Sequence, residues 1–258
     1  MQMDLQHLQL ALSERGVATV TIANGTALNI LDSATTAEMA QLLRRLARDD
    51  SVRALVLRGS GERAFVAGAN INELVQLAPD TARRFITGLH DLCEAVRDFP
   101  QPTVARLAGW TMGGGLELAA ACDLRVGARD AQFSMPEVRV GIPSVIHARL
   151  LARLIGEGNA RWLLLTGAAI DADKALRWGL LNEVADAGEL DAAVQQLLDD
   201  LLACAPRALR AQKALLRAWE DPSIERGLHE SITAFADSYT TDEPREAMEQ
   251  HFFNRKRG

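Results

Sequence analysis

The chain has 258 residues, of which 48% are hydrophobic and 24% are charged. These proportions are typical of a globular protein with a sizeable core, built as one large domain or as one domain with an appendage. The net charge of −6 argues against nucleic acid as a partner, because binding it requires a basic face. No apolar stretch is long enough to span a bilayer, so we expect no membrane partner either.

Cysteine and histidine spacing argues against both a disulfide framework and a metal site. Cys93, Cys122 and Cys204 are widely separated, odd in number and set in apolar surroundings, which predicts reduced, buried thiols. The five histidines have no metal-ligand spacing, so we expect no metal. The N-terminus has no basic region followed by an apolar run. Together these features predict a cytoplasmic protein.

Hydrophobic periodicity predicts repeated strand–strand–helix units followed by a helical tail. Thr35 and Glu38 have the spacing of a capping box, and Asp80 is placed to cap a long helix. The predicted strands span 7–12, 17–23, 52–57, 103–107, 123–127, 131–134 and 181–184, with a further short strand after 63. The predicted helices span 32–48, 80–96, 145–154, 158–165, 171–178 and most of 190–255.

The most informative stretch is a glycine run, Gly113-Gly114-Gly115, which leads into an apolar helix. Glycines before a helix let unpaired backbone amides approach an oxygen that carries negative charge. Glu117 lies three residues beyond Gly114, so it projects beside that oxygen site. Taken alone, the run could equally be a tight turn, with Glu117 in a structural ion pair.

A second turn of small residues, Ala67-Gly68-Ala69, also follows a strand and precedes a helix. Two such turns can offer two amides to a thioester carbonyl that becomes an enolate. Glu137 follows Pro136 at the end of an apolar strand and is the second carboxylate of interest. Two carboxyls in an apolar pocket can serve as base and acid, and the sequence leaves open which one carries the proton at rest.

Five stretches of this sequence resemble the enoyl-CoA hydratase/isomerase (crotonase) family, in family order and over nearly the whole chain. They are RAFVAGANI (63–71), GGGLELA (113–119), CDLRV (122–126), FSMPE (133–137) and ALRWGLLNEV (175–184). The resemblance implies an α/β crotonase (ClpP-like) fold. Its repeated ββα spiral core, with the acyl-CoA site, would span residues 1–196, and a C-terminal helical oligomerisation region would span 197–258.

The resemblance also implies an activity and four site residues. Ala69 and Gly114 match the residues whose amides bind the thioester oxygen, and Glu117 and Glu137 match the two glutamates of the hydratases. In that chemistry Glu117 helps to activate a water and Glu137 exchanges the proton at C2 of a 2-enoyl-CoA. Neither a metal nor a redox cofactor is implied, because coenzyme A enters as part of the substrate.

Coenzyme A contacts and assembly follow from the same resemblance. The CoA moiety is expected along Arg63 and the backbone of Ala67. Phe235 and Arg255 (or Lys256) match an aromatic and a basic residue that close over CoA from the C-terminal helices, often those of a neighbouring subunit. We therefore expect an acyl-CoA thioester as the partner molecule and a homotrimer, or a hexamer made of two trimers.

Some positions depart from the family pattern. Asn72 stands where a CoA-contacting lysine is frequent, and residues 144–147 replace a glycine-rich run close to the catalytic water. Ser144 and His147 are three apart, which raises the alternative of a nucleophile and base without an evident third group. These departures leave open an isomerase, a dehydratase, a thioester hydrolase or a non-catalytic acyl-CoA-binding scaffold.

Overall fold

A computed structural model describes residues 5–186 and 188–220. Its strands and helices are numbered in chain order. The strands are β1 (Leu8–Leu12), β2 (Val17–Ile22), β3 (Ala54–Gly59), β4 (Ala64–Val66), β5 (Thr103–Leu107), β6 (Trp110–Met112), β7 (Leu124–Ala128), β8 (Gln132–Ser134), β9 (Ile170–Asp171) and β10 (Glu183–Ala185). The α-helices are α1 (Ser33–Leu46), α2 (Ile71–Leu74), α3 (Pro79–Arg97), α4 (Gly114–Ala121), α5 (Arg149–Thr166), α6 (Ala172–Trp178), α7 (Leu190–Leu202) and α8 (Pro206–Ala218).

A six-stranded sheet in the order β1-β2-β3-β5-β7-β10 carries the core. Only β1 runs antiparallel to its neighbour, and every other neighbouring pair is parallel. Every residue of β5 is buried, and β3 is buried except at Arg58, because both faces of a parallel sheet are covered. The predicted strands 7–12, 17–23, 103–107 and 123–127 are confirmed to within two residues.

The second sheet, in the order β4-β6-β8-β9, explains how distant residues reach one site. Its strands β4, β6 and β8 are parallel, so their C-terminal ends lie at the same edge. The Ala67-Gly68-Ala69 turn follows β4, the glycine run follows β6, and Glu137 follows β8. The strand β6 is absent from the predicted elements, because its three residues show no periodicity of their own.

Two predicted helix caps are wrong. Asp32, rather than a Thr35–Glu38 capping box, caps α1 by accepting a hydrogen bond from the Thr35 amide at 2.8 Å. Glu38 contacts His7 instead, and Nδ1 of His7 lies 2.7 Å from Oε2 of Glu38. The α3 helix begins at Pro79, which suits a first helical position because it lacks an N–H. Asp80 therefore lies within the first turn and is not the cap.

The segment before α5 differs from a regular helix. Residues 146–148 form a 3-10 turn where a helix beginning at 145 was predicted. The predicted helices 145–154 and 158–165 are joined in α5 across Gly156, whose φ of 77° breaks the helical geometry. A second 3-10 turn, Glu137–Val140, follows β8. Both turns lie next to the candidate site.

Helix α7 packs across β3, β5, β7 and β10. The predicted boundary between residues 196 and 197 falls inside this helix, and the division into core and oligomerisation region stays a prediction.

Cys93 and Cys122 are buried free thiols as predicted, whereas Cys204 is exposed because it lies just beyond the end of α7. None of the helices in 5–186 and 188–220 combines the length and apolarity needed to cross a membrane.

Candidate active site

Each of the three glycines in the run has a different close neighbour at the position of a Cβ. Gly113 has a φ of 52°, and a Cβ there would lie 2.4 Å from Oε1 of Glu137. A Cβ on Gly114 would lie 2.8 Å from Cδ2 of Leu89, and one on Gly115 would lie 2.3 Å from the Val66 carbonyl oxygen. The run is thus a closely packed junction between β4, α3 and Glu137 rather than only a turn.

Four backbone amides at this junction, those of Gly68, Ala69, Gly114 and Gly115, donate no hydrogen bond to another residue in the described part of the chain, and the two predicted donors Ala69 and Gly114 are among them. Their neighbours do: the Gly113 amide donates to the Ser134 carbonyl at 2.9 Å, and the Asn70 amide donates to the Leu31 carbonyl at 2.7 Å. Because β4 and β6 are adjacent parallel strands, the Ala69 and Gly114 amides lie on neighbouring turns.

Glu117 is a deeply buried carboxyl. Its exposed fraction is 3%, and its Oε1 accepts a hydrogen bond from the Ala148 amide at 2.8 Å. Burial, reinforced by the nearby charge of Glu137, raises the pKa of Glu117 to about 8, although the Ala148 hydrogen bond opposes the shift. Glu117 therefore carries a proton at neutral pH in the ligand-free protein.

Glu137 is half-buried at the start of the 3-10 turn that follows β8. The hydroxyl of Ser144 donates a hydrogen bond to its Oε2 at 2.8 Å, while its Oε1 packs against Gly113. One oxygen is thus held by a donor and the other faces the glycine turn. The charge of Glu137 is close enough to contribute to the raised pKa of Glu117.

Ser144 and His147 do not form a nucleophile–base pair. Ser144 binds Glu137, whereas Nε2 of His147 lies 2.6 Å from Oε1 of Glu94. These separate partners argue against the alternative in which His147 acts as the base for a Ser144 nucleophile. The sequence reasoning missed both contacts, and it also missed the Ala148 amide as a donor to Glu117.

Arg63 and Ala67 line one open cavity of about 780 Å³ that leads to Met112, the residue before the glycine run. Arg63 is exposed and Ala67 is half-buried. Phe235, Arg255 and Lys256 lie outside the described residues. Within 5–186 and 188–220, no group of three or more His, Cys, Asp or Glu side chains is arranged to hold a metal ion.

The sequence model of the enoyl-CoA hydratase/isomerase family matches residues 13–257. The chain belongs to this family. It is 34% identical to the short-chain-enoyl-CoA hydratase of Clostridium acetobutylicum over 244 residues, which cover 94% of each chain. It is 33% identical to the crotonyl-CoA hydratase of Syntrophomonas wolfei, again over 94% of each chain.

Solved structures show the same fold. Pseudomonas aeruginosa DspI superposes with a TM-score of 0.92 at 33% identity, covering 99% of this chain and 97% of the other. The enoyl-CoA hydratase of Bacillus anthracis superposes with a TM-score of 0.92 at 27% identity, covering 98% and 97%. The predicted crotonase fold and membership of the crotonase superfamily are therefore confirmed.

Proposed function

We propose that this protein is an enoyl-CoA hydratase that adds water across the double bond of a 2-enoyl-CoA. The observation that supports the proposal is the second sheet, whose parallel strands β4, β6 and β8 end next to the Ala69 turn, the Gly114 turn and Glu137, with Glu117 on the helix that follows the glycine run. Its similarity to a crotonyl-CoA hydratase and a short-chain-enoyl-CoA hydratase supports the same reaction.

The amides of Ala69 and Gly114 form the oxyanion site. When a nucleophile adds to C3 of the enoyl group, negative charge moves to the thioester oxygen and forms an enolate. Two preorganised N–H donors stabilise that charge, and the loss of one such donor typically costs about 3 kcal/mol of barrier. The tight contacts of Gly114 with Leu89 and of Gly115 with Val66 hold this turn in place.

The two glutamates hold one proton between them, as addition of water requires. At rest the proton is on Glu117 and Glu137 is charged. A water held between them relays a proton, since it accepts from Glu117 while it donates to Glu137. Glu117 then takes a proton from this water as the water oxygen bonds to C3, and Glu137 gives its proton to C2. The addition leaves Glu117 protonated and Glu137 charged, so the resting state is restored.

The 780 Å³ cavity is the proposed entrance for CoA, with Arg63 near its phosphates and the Ala67 backbone along its pantetheine arm. By family resemblance, Phe235 and Arg255 close over CoA, and three chains assemble as a trimer or six as a hexamer. The proposed reaction needs no metal or redox group, since CoA arrives with the substrate. Free thiols in the described residues agree with the proposed cytoplasmic location.

The test is the product formed from crotonyl-CoA in water labelled with oxygen-18. Hydration gives a 3-hydroxyacyl-CoA that carries the label in its new hydroxyl group. Release of free CoA with a labelled acid would instead identify a thioester hydrolase. A product of unchanged mass with a moved double bond would identify an isomerase, and either result would overturn the proposal.

A further inference from the structure

The 3-10 turn over residues 146–148 holds a conformation that its sequence resists. Ile146 has a φ of 40°, in the left-handed region that a β-branched residue avoids. Such a backbone is strained and persists only when its surroundings fix it. The surroundings of this turn therefore hold it in place.

His147 is the residue of the turn that is fixed most firmly. Its exposed fraction is 3%, its Nε2 lies 2.6 Å from Oε1 of Glu94 on α3, and its ring lies 5.4 Å from that of His90. Nδ1 of His147 is buried with no hydrogen-bond partner. A protonated ring would bury an N–H without an acceptor, so the geometry fits the neutral ring with its hydrogen on Nε2.

The next residue joins this turn to the candidate active site. The Ala148 amide donates both to the Val145 carbonyl at 2.9 Å, which closes the turn, and to Oε1 of Glu117 at 2.8 Å. One N–H thus depends on the shape of the turn and also holds the carboxyl. In the described part of the chain, the Glu117 carboxyl has no other hydrogen bond, since the second bond of this residue is donated by its backbone amide to the Gly113 carbonyl.

We propose that His147 is a positioning residue, whose bond to Glu94 fixes the 146–148 turn and thereby aims the Ala148 amide at the Glu117 carboxyl. The proposal deepens the assignment of Glu117 to hydration and rests on it for its catalytic consequence. The positioning itself can be measured without turnover, because the Ala148 hydrogen bond opposes the rise in the pKa of Glu117.

The Glu94 side of the bond is anchored by two arginines. Arg97 of α3 lies 2.6 Å from Glu94 and Arg217 of α8 lies 2.7 Å from it. Burial raises the pKa of Glu94, but the hydrogen bond from His147, the hydrogen bond and charge of Arg97 and the charge of Arg217 outweigh it and lower the pKa to about 2, so Glu94 stays charged over the working pH range. The titratable or charged groups around His147 and Glu117 are His90, Cys93, Glu94, Arg97, Glu137, Arg149, Arg217 and Glu220.

The experiment follows the titration of Glu117 by carbon-13 NMR in ligand-free protein labelled at the glutamate carboxyls. The Glu117→Gln variant identifies the resonance. In His147→Leu the bond to Glu94 is lost, and we expect the Glu117 midpoint to rise by about one pKa unit, since a hydrogen bond to the charged form is weakened. His147→Gln keeps an N–H donor and should stay close to wild type.

The chain offers a matched control in His7, which makes a similar bond to Glu38 on α1, away from the candidate site. His7→Leu should leave the Glu117 midpoint unchanged. Glu94→Leu breaks the bond between His147 and Glu94 from the α3 side. This variant is used for the test if His147→Leu does not fold. Removing the charge of Glu94 would by itself lower the pKa of Glu117, so a rise in this variant points to the turn.

An unchanged Glu117 midpoint in folded His147→Leu or Glu94→Leu protein would overturn the proposal. An equal shift in His7→Leu would also overturn it. With crotonyl-CoA we expect kcat of His147→Leu to fall about tenfold, and KM to change much less, because the carboxyl is misplaced rather than the CoA site. If wild type does not hydrate crotonyl-CoA, hydration fails as the function while the NMR result still decides the positioning role.

Discussion

A Cβ on Gly113 would lie 2.4 Å from Oε1 of Glu137, so this carboxyl packs directly against the turn that offers the Gly114 amide. The proposed proton donor, Glu137, is therefore in direct contact with the turn that carries the proposed oxyanion donor Gly114. Their relative position depends on the absence of a side chain at residue 113. This dependence gives the first prediction.

Gly113→Ala should lower both stability and activity. Its φ of 52° and ψ of −125° lie in a region that L-residues avoid, at a cost of about 1–3 kcal/mol, and the added methyl also displaces Glu137. Gly25→Ala is the matched control, because Gly25 has a φ of 77° with open space where its Cβ would lie. Urea unfolding should show a loss for both variants, whereas kcat should fall only for Gly113→Ala. Equal kcat values in the two variants would contradict the account.

Ser144→Ala should slow the reaction without weakening acyl-CoA binding. Its hydroxyl donates to Oε2 of Glu137 at 2.8 Å, and hydrogen bonds to charged groups contribute about 1.5–3 kcal/mol. We expect kcat to fall about tenfold or more, since Glu137 is then free to turn away from C2. Ser144→Thr keeps the hydroxyl and should retain most of the rate. Activity that is lost in Ser144→Thr but kept in Ser144→Ala would show that the size of this side chain, rather than its hydroxyl, determines the rate.

The buried Glu117 should make stability depend on pH. Its pKa is about 8 in the folded protein and about 4.3 in an unfolded chain, so between these values the folded state binds more protons. The free energy of unfolding then falls as pH rises through this window, by up to about 1.4 kcal/mol per pH unit. Glu117→Gln removes the titrating group and keeps an acceptor for the Ala148 amide.

Urea unfolding at about pH 5 and about pH 9 measures this dependence. We expect the Gln variant to lose less stability between the two conditions than wild type does. Glu14→Gln, which alters an exposed carboxyl between β1 and β2, is the control and should follow wild type. Parallel pH profiles for wild type and Glu117→Gln would show that Glu117 titrates normally.

The activity profile should report the same proton. The proposed cycle requires one proton on the glutamate pair, so kcat/KM should decline above about pH 8 as Glu117 loses it. At each pH, initial rates at saturating substrate give kcat, and initial rates at substrate concentrations well below KM give kcat/KM. A kcat/KM that keeps rising through pH 8 would mean that the doubly charged pair is the active form.

Arg63→Ala should weaken the binding of CoA thioesters specifically. The exposed guanidinium lines the cavity proposed for CoA, and its proposed partner is a phosphate. We expect KM for crotonyl-CoA to rise several-fold, with little change in KM for crotonyl-pantetheine, which lacks the nucleotide. Arg48→Ala, a change at another exposed arginine, is the control. A rise of KM for both thioesters would mean that Arg63 contacts a part of the substrate other than the nucleotide.

Local sequence signals marked the two small-residue turns and the carboxyls of Glu117 and Glu137, and the family resemblance then singled out the amides of Ala69 and Gly114. Glycines before an apolar helix mark free amides, and a lone Glu117 in that helix marks a carboxyl that burial must perturb. The strands that precede the two turns and Glu137 are short, and β6 was missed. Parallel pairing of β4, β6 and β8 brings their C-terminal ends together. The order of these strands in the chain does not by itself predict this pairing.

The partners of the carboxyls could not be predicted, because they are set by tertiary contacts. His147 and Glu94 are 53 residues apart, and Ala148 and Glu117 are 31 apart. No periodicity or spacing connects them. The strained φ of Ile146 is likewise invisible in the sequence, since isoleucine at that position favours an extended or helical backbone.

The most direct test of the account is the loss of enoyl thioester absorbance when crotonyl-CoA is mixed with wild type or Glu137→Gln. We expect steady loss with wild type and a rate about a hundredfold lower or less with the variant, because the proton for C2 is removed while the fold is kept. Acyl-CoA binding by both proteins serves as the control. Wild-type protein that binds crotonyl-CoA but leaves its absorbance unchanged, or a Glu137→Gln variant as fast as wild type, would contradict hydration by the Glu117–Glu137 pair.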